Sequence, residues 1–315
     1  MISVLAVVGP TASGKTALAI ELAQRLETEI ISADSMQVYH GMEIGTAAPT
    51  PEERAQAPHH LVSFLDPREH FSAGEFERQA REIVARLNAA GKPAIVVGGS
   101  GLYLRALIDG LFEGPARDPE VRDRLEREAG EVGVETLYRR LEAVDPRYAS
   151  TVLPGDLRRI VRGLEVHEIA GEPLSVLHRR HREATESLPA VQVILDWPRH
   201  ELYARIDARV DRMLTAGFLD EVRTLLDRGY EDRLTSLRSL GYREMAAHLK
   251  GAMTLDRATE LMKRDTRRFA KRQLIWFRAD PRVYWLPAGS RQLPGNPADR
   301  ILTLLTKPQG DARQE

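Results

Sequence analysis

The chain has 315 residues, 43% of them apolar, and 45 basic residues against 46 acidic ones give a formal net charge of −1. That length suits about two domains with a sizeable core, and any contact with nucleic acid has to come from a local basic patch. No cysteine is present, which excludes disulfides, thiolate zinc sites, iron–sulfur clusters and thiol catalysis and fits a reducing cytoplasm.

The first element, SVLAVVG, is an apolar run with no basic segment before it, so it reads as a buried strand and not a signal peptide. It leads into Gly9, Pro10, Thr11, Ala12, Ser13, Gly14, Lys15 and Thr16, a complete G-x-x-x-x-G-K-[ST] between a predicted strand and a predicted helix. Backbone N–H groups and the helix N-terminus attract phosphates there, Lys15 adds a point charge, and the Thr16 hydroxyl is a ligand for Mg²⁺. The next strand, EIISAD, sets Asp34 at its C-terminal end, where ligands of an open parallel sheet sit. A carboxylate in that position serves equally as a general base or as a turn and helix cap, and position alone does not choose.

HHLVSFLD is a further predicted strand, in which His59 and His60 point to opposite faces with no third ligand at metal spacing. Ser72 and Glu75 of FSAGEF form an S-x-x-E capping box that starts a helix running to about residue 90. The strand PAIVVGG ends in Gly98 and Gly99 where a hydrolytic motor needs an acidic residue, which argues against ATP-driven work. Those glycines allow the backbone to approach a ligand closely, or mark a plain strand-to-helix turn, and Ser100 offers a hydroxyl beside them.

From 114 to 187 the sequence turns charged and helical without a strand, and AVQVILDW then resumes the sheet. Three helices are expected from 199 to 280. The last, 255 to 278, carries Met262, Phe269 and Trp276 at a spacing of seven as a core stripe. Arg264, Arg267, Arg268, Lys271 and Arg272 lie on its other faces, and Asp265 is the one acidic residue between 263 and 278, the pattern of a surface that tracks phosphates. RVYWLP is a final strand and QGDARQE a frayed tail. No run is long and apolar enough to span a membrane. The alternation predicts an α/β fold: a parallel sheet flanked by helices, in a core of 1–113 and 188–315 interrupted by a helical insertion at 114–187.

Seven segments, GPTASGKT, ISADSMQVYHGMEIGTAAP, HHLVSFLDP, FSAGEF, VVGGSGLYLRAL, LRSLGYREM and FAKRQLIWFR, occur in the order and at roughly the spacing of the tRNA dimethylallyltransferases, and the chain resembles that family over nearly its whole length. The resemblance implies a P-loop NTPase-like core that transfers a dimethylallyl group from dimethylallyl diphosphate to the exocyclic amine of the adenosine just 3′ of the anticodon, with Mg²⁺ and release of pyrophosphate. It makes Asp34 the base, Lys15, Thr16 and the loop amides the diphosphate grip, and Arg209 a second cation. Contacts to the tRNA anticodon stem-loop are implied at Asp34, Ser35, Met36 and Gln37, at Ser100, and at Arg158, Arg159 and Arg162. Further contacts are implied at Arg238, Gly241, Tyr242 and Arg243, and at Lys271, Arg272, Gln273 and Arg278. A cytoplasmic monomer without membrane contact is expected. Three positions depart from the family pattern: Ser100 replaces a usual threonine, and His40 and Ala48 replace a usual arginine and lysine, removing up to two charge-assisted contacts. A P-loop small-molecule kinase, a nucleotide-gated RNA-binding protein and an adenylate isopentenyltransferase are the rival readings.

Overall fold

The computed structural model describes residues 2–112, 114–230, 234 and 236–306, so the QGDARQE tail lies outside the described residues. The chain divides into two compact units, one of residues 1–108 and 188–315, the other of residues 109–187. In chain order the first unit begins with β1 (Val4–Val8), α1 (Lys15–Arg25), β2 (Ile30–Ala33), α2 (Glu43–Thr46), α3 (Pro51–Gln56), β3 (His59–His60), α4 (Ala73–Ala89), β4 (Ala94–Gly98) and α5 (Gly101–Asp109). The second unit holds α6 (Pro119–Val132), α7 (Val134–Val144), α8 (Pro146–Ala149), α9 (Leu157–Ala170) and α10 (Leu174–Ala184). The first unit then resumes with β5 (Ala190–Asp196), α11 (Arg199–Thr215), α12 (Phe218–Asp227), α13 (Tyr242–Leu249), α14 (Leu255–Arg278), β6 (Val283–Pro287) and α15 (Pro297–Thr306).

The six strands form one parallel sheet in the order β3-β2-β4-β1-β5-β6, a P-loop NTPase-like fold. Strand β1 lies inside it, paired with β4 and with β5, and all five of its residues are buried. Alternation along the strand divides them between two layers. Leu5 and Val7 pack with Leu18 and Leu22 of α1, whereas Val4, Ala6 and Val8 pack with Phe76 and Val84 of α4 and Leu107 of α5. Because every strand runs the same way, the loops after β1, β2 and β4 gather at one edge, which brings together Gly9 to Thr16, Asp34 and Ser100. A third cluster, built from α11 to α14 around Phe218, Tyr242, Met245 and Met262, includes Val38 and Met42 from the segment that follows Asp34.

The Ser72–Glu75 capping box starts α4 as expected, each side chain bonding the other's backbone N–H. Three expectations are corrected. Only His59–His60 of HHLVSFLD is a strand, because Leu61 and Ser63 take left-handed backbone conformations and the chain turns to bond Gln37 and Val38 instead. Among the described residues four helices, not three, occupy 199 to 280, since Gly217, at φ 96°, separates α11 from α12. On α14 the core stripe is Ala258, Met262, Ala270, Gln273 and Phe277, and Phe269 and Trp276 are 36% and 40% exposed. Ala258 and Trp276 stand about five turns apart on one line of the helix, so the neighbours of each turn decide burial and not the spacing: Gln273 turns to Thr11 and Gly99, and Trp276 lies beneath the Arg105 guanidinium.

In the second unit, Leu125, Leu137, Leu141, Ile160 and Leu164 form a separate core. Glu165 is fully buried there and bonds Arg122, Arg162 and the Asp118 N–H.

Phe76 is fully buried and stacks on Tyr103 with ring centroids 4.4 Å apart. Phe76→Ala should destabilise the protein by about 3–5 kcal/mol, read as a lower urea midpoint with an unchanged slope.

Candidate active site

The loop from Gly9 to Gly14 reverses tightly out of β1, with positive φ at Gly9, Ala12 and Gly14, and delivers Lys15 and Thr16 to the first turn of α1. Ser13 is fully buried and its hydroxyl donates to Pro10 O at 2.9 Å. Lys15 Nζ donates to the same carbonyl at 2.6 Å, folded over the loop. Lys15 is half-buried as a residue, yet its ammonium is enclosed: desolvation and the nearby Arg209 guanidinium push its pKa down to about 7, against an opposing pull from Asp34.

Arg209, from α11, is the second cation at this point. Burial lowers its pKa and Asp34 raises it, and the guanidinium remains charged. Its Nη2 makes a long contact of 3.5 Å with Thr46 O. Lys15, Thr16 and Arg209 are shared by two cavities. The first, of about 570 Å³, is otherwise lined by Ala12, Gly14, Ala17, Glu53, Ala204, Arg205, Ala208 and Arg212. The second, of about 580 Å³, extends past Asp34, Ser35, Met36, Gln37 and Ser100 to Arg238, Arg243, Asp265, Arg268, Phe269, Arg272 and Gln273. A cationic wall thus stands between a chamber lined by Arg205, Arg212 and Glu53 and one of about equal volume that carries Asp34.

Asp34 sits one residue beyond β2. Its Oδ1 accepts from Met36 N at 2.9 Å, the turn bond that the structural reading requires. Among the described residues no hydrogen bond engages Oδ2. One oxygen therefore sets the side-chain angle and the other is left to accept a proton, so the two readings of Asp34 are compatible. Ser100 Oγ accepts from Ser35 N at 3.2 Å and ties the ends of β2 and β4. The glycines beside it serve the fold: a Cβ on Gly98 would lie 2.2 Å from Ala33 O, and one on Gly99 would lie 2.0 Å from Gln273 Nε2.

Several residues singled out in the sequence have their polar groups committed within the protein. Gln273 is buried; its Nε2 donates to Gly99 O at 3.0 Å and its Oε1 accepts from Thr11 N at 3.2 Å, so it ties α14 to the phosphate loop. Gln37 donates to Ala47 O at 3.0 Å and accepts from Ser32 Oγ at 2.9 Å. Tyr242 is buried, and its hydroxyl lies 2.7 Å from Glu221 Oε1 and 2.9 Å from Met42 O, two acceptors for its single proton. Gly241, at φ 90°, opens α13.

Arg238, Arg243, Arg268 and Arg272 line the Asp34 cavity as exposed side chains, while Lys271 and Arg278 are exposed outside it. Asp265 is held below the usual carboxylate range by Arg264, with Arg243 and Arg268 also paired to it. Arg267 and Lys263 pair with Asp207 and Asp211 of α11. The acidic partners of the basic helix thus come partly from another helix. In the second unit Arg158 is exposed, Arg159 bonds Thr151 O, and Arg162 is spent on Glu165 and Pro115 O. His40 and Ala48 line neither cavity.

Sequence reasoning missed Glu221. Its carboxylate accepts from Ile44 N at 2.8 Å and Gly45 N at 3.0 Å, besides Tyr242, and so holds the segment that carries Thr46 and Ala47 into the cavity wall. Burial pushes its pKa up, and those three donors pull it back. A lone glutamate in an amphipathic helix carries no signal for this.

A phosphate loop with a second buried cation and a carboxylate, at the carboxyl edge of a parallel sheet, defines a protein that grips a diphosphate-like anion beside a group able to take a proton. The family model described as IPP transferase matches residues 37–280. The chain is 51% identical over 285 residues to a tRNA dimethylallyltransferase of Syntrophobacter fumaroxidans, covering 90% of this chain and 83% of that one. It is 49% identical to tRNA dimethylallyltransferase 1 of Pelobacter propionicus, covering 90% and 92%. Among solved structures it resembles the tRNA isopentenylpyrophosphate transferase of Bacillus halodurans, with TM-score 0.68, 38% identity and coverage of 96% and 93%. It also resembles a eukaryotic dimethylallyltransferase acting on tRNA, with TM-score 0.82, 28% identity and coverage of 98% and 81%. The chain belongs to the tRNA dimethylallyltransferase family, whose members are prenyltransferases.

The low pKa of Lys15 has a measurable consequence. Above about pH 7 the free side chain is mostly neutral, and a bound diphosphate restores its charge, so binding at pH 8 should take up close to one proton through Lys15. Below about pH 6 that uptake should vanish. Calorimetry in buffers of different ionisation enthalpy measures it, and Lys15→Arg, which stays charged, should remove it while leaving the ligand's own proton exchange in place.

Proposed function

We propose that the chain acts in the cytoplasm, as a monomer, to transfer the dimethylallyl group of dimethylallyl diphosphate to the exocyclic amine of the adenosine just 3′ of the anticodon in tRNA. The observation that carries the assignment of roles is Asp34 Oδ2, without a hydrogen-bond partner among the described residues, in the same cavity wall as Lys15, Thr16 and Arg209. The diphosphate lies against the loop amides, Lys15 and Arg209. The bond between the allylic carbon and the diphosphate oxygen breaks with its electron pair on oxygen, where the two cations neutralise it. The amine nitrogen bonds to that carbon and its proton passes to Asp34, after which pyrophosphate leaves.

An exocyclic amine conjugated with its ring is a poor nucleophile, which is why a positioned base is wanted. The adenosine leaves its stack to enter the Asp34 cavity, at a cost of about a few kcal/mol. The exposed Arg238, Arg268 and Arg272 at that cavity, with Lys271 beside it, offset this through phosphate contacts. Among the described residues no three His, Asp or Glu side chains converge to hold a metal by themselves. The Thr16 hydroxyl, with diphosphate oxygens and water, fits Mg²⁺, which tolerates few protein ligands. When bound, Mg²⁺ supplies further neutralisation of the departing diphosphate.

Incubation with dimethylallyl diphosphate, Mg²⁺ and unmodified tRNA should yield a prenylated nucleoside by mass, with the donor consumed only when tRNA is present. Phosphoryl transfer from ATP without prenylation would contradict the reading. Asp34→Asn keeps the turn bond to Met36 but cannot take the proton, so single-turnover prenylation should fall about 10²–10⁴-fold while donor and tRNA affinities change far less. A fall within about threefold would return Asp34 to a structural role. Reversing Arg268 and Lys271 to glutamate should weaken tRNA binding and flatten its salt slope by about one to two, with donor affinity little changed.

A further inference from the structure

We infer that Trp197 and Arg205 act as a clamp that sets the phosphate loop in its diphosphate-binding conformation before the ligand arrives, and are positioning residues for the reaction. This rests on the diphosphate reading of the loop given above. Trp197 follows β5 and its indole Nε1–H donates to Ser13 O at 2.9 Å. Arg205 is on α11; its Nε–H donates to Ala12 O at 2.8 Å, and its guanidinium lies 4.1 Å from the centre of the Trp197 ring. Each residue therefore fixes one loop carbonyl and braces the other residue.

In a trans peptide the C=O and the following N–H point in opposite directions. Holding the carbonyls of Ala12 and Ser13 against the clamp points the N–H groups of Ser13 and Gly14 the opposite way within each peptide plane, and Gly14 lines the basic cavity. These are consecutive amides of the kind that cradles a phosphate. The loop needs such restraint. Ala12 is in the left-handed region at φ 64°, a conformation a non-glycine residue holds only when its surroundings impose it. From the other side Gln273 fixes Thr11 N, and Ser13 Oγ fixes Pro10 O. Four successive loop residues are thus each held by a hydrogen bond, and the clamp accounts for the two nearest the helix. An anion-binding loop ordered in advance loses less freedom when the ligand binds.

Two substitutions separate this from packing and from charge. Trp197→Phe keeps an aromatic face for Arg205 and removes the indole donor. Arg205→Lys keeps the positive charge at the basic cavity and removes the Nε–H and the planar stack. Affinity for inorganic pyrophosphate in the presence of Mg²⁺, measured by calorimetry on the full chain, should fall about fivefold or more in each. In steady-state assays KM for dimethylallyl diphosphate should rise by a similar factor while kcat stays within about twofold. The double variant should lose less than the product of the single effects, because the two residues brace one another. Either variant with wild-type pyrophosphate affinity, even if it melts at a lower temperature, overturns the proposal. A wild-type chain that binds pyrophosphate but does not consume the donor with tRNA refutes the transfer reading and leaves the clamp standing.

Discussion

Two cations set close together and partly withdrawn from water, Lys15 and Arg209, set the terms for the rest of the first unit. Each lowers its own tendency to carry charge by burial, and Arg209 further opposes the charge on Lys15. Asp34 counters this for both, but Arg209 stays charged and Lys15 can take up a proton, so the site can hold more positive charge than one carboxylate balances. A diphosphate supplies what is missing. The same arrangement grows more favourable as negative charge collects on the departing group, so binding and bond breaking draw on one set of contacts.

Such a site works only if the backbone around it is stiff, and the stiffness comes from buried and half-buried polar side chains spent on main-chain atoms. Gln273 bridges Thr11 and Gly99, Glu221 holds Ile44 and Gly45, and Gln37 holds Ala47 while taking a bond from Ser32. Each links a loop at the sheet's carboxyl edge to an element that packs elsewhere. Leaving any of these groups without its partner carries a desolvation penalty, largest for the buried Gln273, so the loops share the cooperativity of the core beneath them.

The parts that were legible in the sequence are those written in local pattern. The phosphate loop is eight contiguous residues, the five longer strands are apolar runs, and the Ser72–Glu75 box is a four-residue signal. The family likeness named Asp34 and Arg209, and the structure sets both beside the loop. What the pattern could not carry was partnership across long separations. Glu221 meets Ile44 across 177 positions and Trp197 meets Ser13 across 184, and neither glutamate nor tryptophan is unusual where it stands. The seven-residue step of Phe269 and Trp276 looks like a core face of a helix, although Gln273, a polar residue between them, is the one that is buried. Gly98 and Gly99 raised the right question about close approach, and the approaching groups are Ala33 and Gln273.

The interruption of the first unit by residues 109–187 bears on how the protein is made. Strand β1 and the phosphate loop leave the ribosome first, but β5, one of the two neighbours of β1, ends at Asp196, and Arg209 and Gln273 come later still. At about 5–20 residues per second, the loop spends on the order of ten seconds or more without the strand that flanks it. The second unit has its own core and can close during that interval, whereas the anion site cannot exist on a nascent chain that stops short of α14. Premature termination before Gln273 therefore leaves a phosphate-loop motif without the side chain that ties it to α14.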